Sequence, residues 1–115
     1  MKKVYHLSTC DTCKRIITEL NLSEKIIKQD IKSEAITEEQ LDEMKQLAGS
    51  YEGLFSKRAQ LYKQQNLKEK NLSEKDYKKL ILAHYTFLKR PVLLLDNQIF
   101  IGNSKKVIEA AKTAL

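Results

Sequence analysis

Two hydrophobic periods alternate along this chain. The run Val4-Tyr5-His6-Leu7 is strand-like, and behind it Cys13, Ile16, Ile17 and Leu20 recur at the spacing of one helix face, which predicts a short amphipathic helix with Cys13 on its inward side. Ile27, Gln29 and Ile31 then alternate and predict a second strand around residues 25–31, parallel to the first through a right-handed crossover. Thr37-Glu38-Glu39-Gln40 is a capping box opening a helix with Leu41, Met44 and Leu47 inward and a stop near Gly49. A further helix is predicted from Leu54 to Gln65. Ser73 caps the next, whose stripe of Tyr77, Leu80, Ile81, His84, Tyr85 and Leu88 is the strongest periodic signal in the chain. Past Pro91, the run Val92-Leu93-Leu94-Leu95, the turn Asp96-Asn97 and Gln98-Ile99-Phe100-Ile101 read as an antiparallel hairpin. Gly102-Asn103-Ser104 opens a closing helix with Val107, Ile108, Ala111 and Leu115 inward. The order is β-α-β, a helical insertion over about 33–88, then β-β-α, which makes the chain α/β.

Size and charge narrow the classes. At 115 residues with 42% hydrophobic content the chain is expected to form a single domain, 1–115, around one modest core. No apolar run approaches the roughly 20 residues of a membrane span, and no tract is repeated or low in complexity, so no membrane partner is expected. The formal charge of +6 comes from 18 Lys and three Arg, with acids interleaved as in Ser73-Glu74-Lys75-Asp76-Tyr77-Lys78-Lys79. Such spacing reads as solvated helix faces that attract anions, and direct nucleic-acid binding is not expected.

Chemistry enters with the only two cysteines, Cys10 and Cys13, between the first strand and the first helix. A lone C-x-x-C there reads as a thioredoxin-type redox site, because a helix start presents unpaired N–H groups and a positive dipole end that lower a thiol pKa. A structural zinc site would want four ligands, and only His6 and His84 are left to supplement the cysteines, with no second ligand pair. A structural disulfide is disfavoured by the three-residue spacing and by the absence of a signal peptide before Met1-Lys2-Lys3, so a reducing, cytoplasmic setting and no bound metal are expected. Cys10 would attack a disulfide sulfur, an arsenic centre or a glutathione mixed disulfide, and Cys13 would resolve the adduct as an internal disulfide. Asp11 opposes thiolate formation, while His6, Lys14, Arg58 and Arg90 favour it if they lie within about 4–6 Å. His6 reads equally as a buried strand histidine, Lys14 as a solvated helix lysine and His84 as a core histidine. Pro91, the only proline, opens a strand and is expected in cis against the sulfurs, as in a thioredoxin-like fold with a mixed four-stranded sheet.

Four segments together resemble the ArsC/Spx family of thioredoxin-like proteins over nearly the whole chain: Tyr5-His6-Leu7-Ser8-Thr9-Cys10, Cys10-Asp11-Thr12-Cys13-Lys14, Leu54-Phe55-Ser56-Lys57-Arg58 and Leu88-Lys89-Arg90-Pro91-Val92. The resemblance implies Cys10 and Cys13 as catalytic residues, Arg58 and Arg90 as holders of an anionic substrate, and His6, Thr12, Lys14 and Pro91 as supporting residues. Arsenate reductases of this branch hold the oxyanion with three arginines. The third sits just before the last helix, where this chain has Gly102-Asn103-Ser104, and Arg58 falls two residues beyond the strict first position, occupied here by Ser56. Arsenate is therefore expected to be a poor substrate.

The resemblance implies a small cytoplasmic thiol-disulfide oxidoreductase. It would bind no cofactor, would act as a monomer on a small oxyanion or disulfide, and would take electrons from glutathione, thioredoxin or glutaredoxin. The alternative is a redox-sensing regulator resembling Spx, in which the disulfide switches contact with RNA polymerase. Spx-type regulators carry a longer basic tail after the last helix, whereas this chain stops at Leu115, which favours the reductase.

Overall fold

The computed structural model describes residues 2–115. In chain order they form β1 (Lys2–His6), α1 (Asp11–Leu20), β2 (Ile27–Asp30), α2 (Glu38–Ala48), α3 (Gln60–Gln64), α4 (Glu74–Ala83), β3 (Val92–Leu95), β4 (Gln98–Ile101) and α5 (Lys105–Ala114), with 3-10 turns at Glu52–Leu54, Leu67–Glu69 and Tyr85–Phe87. The strands make one mixed sheet in the order β2-β1-β3-β4: β1 is parallel to β2 and antiparallel to β3, and β4 pairs antiparallel with β3. The expected α/β order of strands and helices is thus present. Among the described residues no helix is long and apolar enough to cross a membrane. The chain gathers into two compact units, one made of the residues up to Ala35 together with Arg90–Leu115, the other of Ile36–Lys89.

In the sheet unit, register decides which residues share a face, because successive residues of a strand alternate sides. Val4 stands opposite Leu93 and Lys2 opposite Leu95. Val4, Leu93 and Leu95 therefore line one face, where they form a core with Ile26 and Ala111, and Leu20, Leu22 and Phe100 pack against it. Tyr5, opposite Val92 on one side and Gln29 on the other, lies on the second face. β3 is buried at all four positions, which explains a continuous apolar run where alternation would mark a half-exposed strand. β2 is shorter than the predicted 25–31, and Ile27 is 55% exposed, since β2 forms the sheet edge. Gln29 and Ile31 are buried as the alternation requires, and the Gln29 amide donates to the Glu34 carbonyl at 3.1 Å. The closing helix ends at Ala114, which leaves Leu115 exposed and not inward as its spacing suggests.

The helical unit is organised by its caps and an aromatic cluster. Thr37 with Gln40 closes a reciprocal capping box at α2, and Ser73 with Asp76 does so at α4. α2 ends at Gly49, whose φ of 93° is the left-handed conformation glycine adopts without a Cβ penalty. Leu41 and Met44 are buried, but Leu47, expected inward, is 37% exposed. The helix predicted over 54–65 divides. Phe55 is extended and bridges Leu88, with Lys89 N–H donating to the Leu54 carbonyl at 2.8 Å, and only Gln60–Gln64 is α-helical. Tertiary contacts override the local pattern there: the Phe55 ring stacks on Phe87 at 5.2 Å and meets Tyr77 at 4.8 Å. The stripe predicted to continue to Leu88 likewise breaks at His84, whose backbone is extended and whose Nδ1 accepts the Thr86 N–H at 3.2 Å to start the next turn.

Candidate functional site

The site grows from the connection between β1 and α1. After His6, Leu7 is buried and its carbonyl accepts the Cys10 N–H at 3.0 Å, which folds the four residues Leu7–Cys10 into a tight turn. Cys10 is the N-cap of α1, with extended φ −95° and ψ 112°, and its carbonyl accepts the Lys14 N–H at 3.1 Å as the first helical bond. One turn later Cys13 points to the buried side with Ile16, as the apolar spacing requires. Cys10 is partly exposed and Cys13 wholly buried, and both are thiols.

The two sulfurs have opposite electrostatics. Burial by itself would raise the Cys10 pKa, but the Cys13 backbone N–H, the Cys13 thiol and the Arg90 guanidinium favour the thiolate and bring it below the ordinary thiol value. The pull does not close a conventional cap, since no side-chain cap hydrogen bond forms at Cys10. Burial pushes the Cys13 thiol up to about 11, and the Cys10 sulfur adds to the shift by hydrogen bond and charge. The pair thus divides into one thiol that gives up its proton more readily and one that retains it.

Arg90 reaches this pair from the segment leading into β3, and the Arg90–Pro91 bond is cis, as expected. Pro91 is buried, and its carbonyl accepts the Gly102 N–H at 2.9 Å. A Cβ at Gly102 would meet nothing within 4 Å, yet its φ of 90° strains any other residue there. Of the remaining expected site residues, Thr12 is half-buried and Lys14 exposed in the first turn of α1. Burial lowers the His6 pKa, against the pull of Asp30 and with help from Lys28, which disfavours the charged imidazole. Arg58 belongs to the helical unit, exposed in the turn after the Phe55 bridge.

Sequence reasoning missed Ser8 and Asp30. Asp30, the last residue of β2, accepts the Ser8 N–H at 3.1 Å and the Ser8 hydroxyl at 2.7 Å, then the Lys32 N–H at 3.2 Å and the Ser33 hydroxyl at 3.1 Å. These donors hold its carboxyl well below the usual carboxylate range. The legible signal was Asp30-Ile31-Lys32-Ser33 itself, an aspartate able to bond backbone two residues on at the end of a strand.

Among known families, the model of the ArsC family matches residues 5–111. The chain belongs to the ArsC family. No curated protein matches it. Solved structures of similar fold include the YffB protein, 23% identical over 96% of this chain and 98% of that one with a TM-score of 0.79. An arsenate reductase from Vibrio cholerae is 21% identical over 99% and 97% with a TM-score of 0.75. An arsenate reductase (ArsC) related protein from Brucella melitensis is 23% identical over 95% and 92% with a TM-score of 0.71. At these identities the likeness establishes the thioredoxin-like α/β fold of this ArsC-family chain, which agrees with its mixed four-stranded sheet.

Proposed function

We propose that this ArsC-family protein is a thiol-disulfide reductase with Cys10 as nucleophile and Cys13 as resolving thiol. The observation that supports it most is the split between the two sulfurs, one lowered at an accessible helix start and one buried and raised to about 11. The Cys10 thiolate attacks one sulfur of a substrate disulfide. The S–S bond breaks with its electron pair on the departing sulfur, which takes up a proton, and a Cys10–substrate mixed disulfide remains. Cys13 gives up its proton and attacks the Cys10 sulfur, releasing the second substrate half as a thiolate and leaving the Cys10–Cys13 disulfide. Two electrons from glutathione, or from a dithiol of the thioredoxin or glutaredoxin class, restore both thiols. Arg90 favours the attacking thiolate and, as a planar fork, suits an anionic group on the substrate.

Arsenate fits this site less well, because Gly102, which stands where the third anion-holding arginine is expected, has a backbone that disfavours a side chain. The test is turnover of the reduced protein on oxidised glutathione, glutathionylated peptides and arsenate, with glutathione and thioredoxin systems compared as donors. Turnover on a disulfide well above that on arsenate is expected, with a mixed disulfide accumulating in Cys13→Ser. Absence of turnover in every pairing, or arsenate as the best substrate, would overturn the reading.

A further inference from the structure

Four donors converge on Asp30 at the C-terminal end of β2, which pairs with His6 at the end of β1, and two of them belong to Ser8. Oδ1 takes both backbone N–H groups, those of Ser8 and Lys32, while Oδ2 takes both hydroxyls, those of Ser8 and Ser33. Neighbouring backbone bonds extend the clamp: Ile31 N–H donates to the His6 carbonyl at 2.9 Å and Glu34 N–H to the Asp30 carbonyl at 2.8 Å. Only Leu7 lies between the residue tied by Ile31 and the residue tied by Asp30, and it is the Leu7 carbonyl that accepts the Cys10 N–H. The turn carrying the sulfur is therefore held on one side by β2 and on the other by its own helix. Leu7 also meets the pair directly, since its backbone hydrogen bond favours the Cys13 thiolate.

We propose that Asp30, acting through Ser8, is the positioning residue that fixes the Leu7–Cys10 turn and so holds the Cys10 sulfur at the start of α1 beside Cys13 and Arg90. This rests on the reading of Cys10 as the nucleophile. The idea competes with a bland one, that Asp30 is only a nearby negative charge, and the two differ in sign. A carboxylate acting by charge alone disfavours the Cys10 thiolate, so its removal would lower the Cys10 pKa. A carboxylate that positions the turn favours the thiolate indirectly, so its removal lets the sulfur drift from the helix start and raises the pKa. His6 interacts with Asp30 and Lys28, and Arg90 with Cys10; these groups, and Asp11 and Lys14 beside the sulfur, are not altered by the substitutions below.

The experiment is the pH profile of Cys10 alkylation in the Cys13→Ser background, followed by mass, for Asp30→Ala, Asp30→Asn and Ser8→Ala. Asp30→Ala is expected to raise the Cys10 pKa and slow alkylation at neutral pH roughly three- to tenfold, as the thiolate fraction falls. Asp30→Asn keeps Oδ1 for the two N–H donors and offers an amide to the hydroxyls, so it should stay within about twofold of the parent. Ser8→Ala, which loses only the hydroxyl arm, should shift in the same direction as Asp30→Ala but less far, and it carries the test by itself if Asp30→Ala does not fold. A folded Asp30→Ala or Ser8→Ala with unchanged or lowered Cys10 pKa overturns the proposal, as does Asp30→Asn shifted as far as Asp30→Ala. A parent Cys10 that titrates at the ordinary thiol value would instead overturn the nucleophile reading.

Discussion

Helices α2, α4 and α5 begin on an oxygen, and α1 begins on a sulfur. Thr37, Ser73 and Ser104 accept the N–H three residues on, and the first two close reciprocal boxes. Cys10 has the same extended N-cap backbone but closes no side-chain cap bond. Sulfur is a weak acceptor, so α1 lacks about 1 kcal/mol that a serine would supply. The Cys13 N–H at this helix start, together with the Cys13 thiol and Arg90, favours a thiolate. The contrast separates two outcomes of one local structure: a hydroxyl at the N-cap satisfies the helix start, and the thiol there leaves a weaker cap and a lowered pKa.

Exchanging thiol for hydroxyl gives the largest effect. Cys10→Ser should abolish turnover on every disulfide substrate while raising the stability of the reduced protein by up to about 1 kcal/mol, read from urea midpoints. Residual thiol-dependent turnover, or a loss of stability of that size, would break the comparison. Next comes Arg90→Lys, which keeps the charge and removes the fork. A loss on the order of 1.5–3 kcal/mol, about ten- to a hundredfold in rate, is expected for one charge-assisted hydrogen bond. Arg58→Lys, measured in parallel on the same substrates, tests the other arginine the sequence offered for anion binding.

The pH dependence of stability sharpens the contrast between the two sulfurs. Burial pushes the Cys13 thiol up to about 11 in the fold, against about 8.5 for an unfolded thiol, so the folded state binds the proton more tightly. Its contribution to stability is complete below about pH 8.5 and is lost as pH rises toward 11. Cys10 has the opposite sign: its folded pKa is depressed, so its contribution is present above the unfolded value and is lost as pH falls through the folded one. Urea midpoints under reducing conditions should therefore fall on the alkaline side, and Cys13→Ala should flatten that fall. The smallest effects belong to the ordinary caps. Thr37→Ala and Ser73→Ala should each cost about 1 kcal/mol and leave the Cys10 alkylation profile unchanged.

The sequence showed most where a period and a cap agreed. Thr37 with Gln40, Ser73, the run Val92–Leu95 and the inward Cys13 all stand as their spacing predicts. It misled where packing between distant residues outweighed local pattern. Phe55 leaves a helical run to stack on Phe87, and His84 turns out of the α4 stripe to cap the next turn. At the candidate site the two cysteines and the cis Arg90–Pro91 junction were legible from one motif each. Asp30 was not, because its partner Ser8 is 22 residues away and no periodicity links a strand end to a loop across a crossover. The lowered His6 pKa was illegible for a related reason: it depends on how deeply the first strand is buried, which the sequence alone does not convey.

The most direct measurement is a thiolate titration of the reduced protein, by ultraviolet absorbance and by residue-resolved alkylation over the same pH range. Two well-separated steps are predicted, the lower belonging to Cys10 below the ordinary thiol value and the upper to Cys13 near 11. Cys10 should be alkylated first throughout the neutral range. A single shared step near the ordinary value, with both cysteines alkylated at the same rate, would contradict the division into nucleophile and resolving thiol.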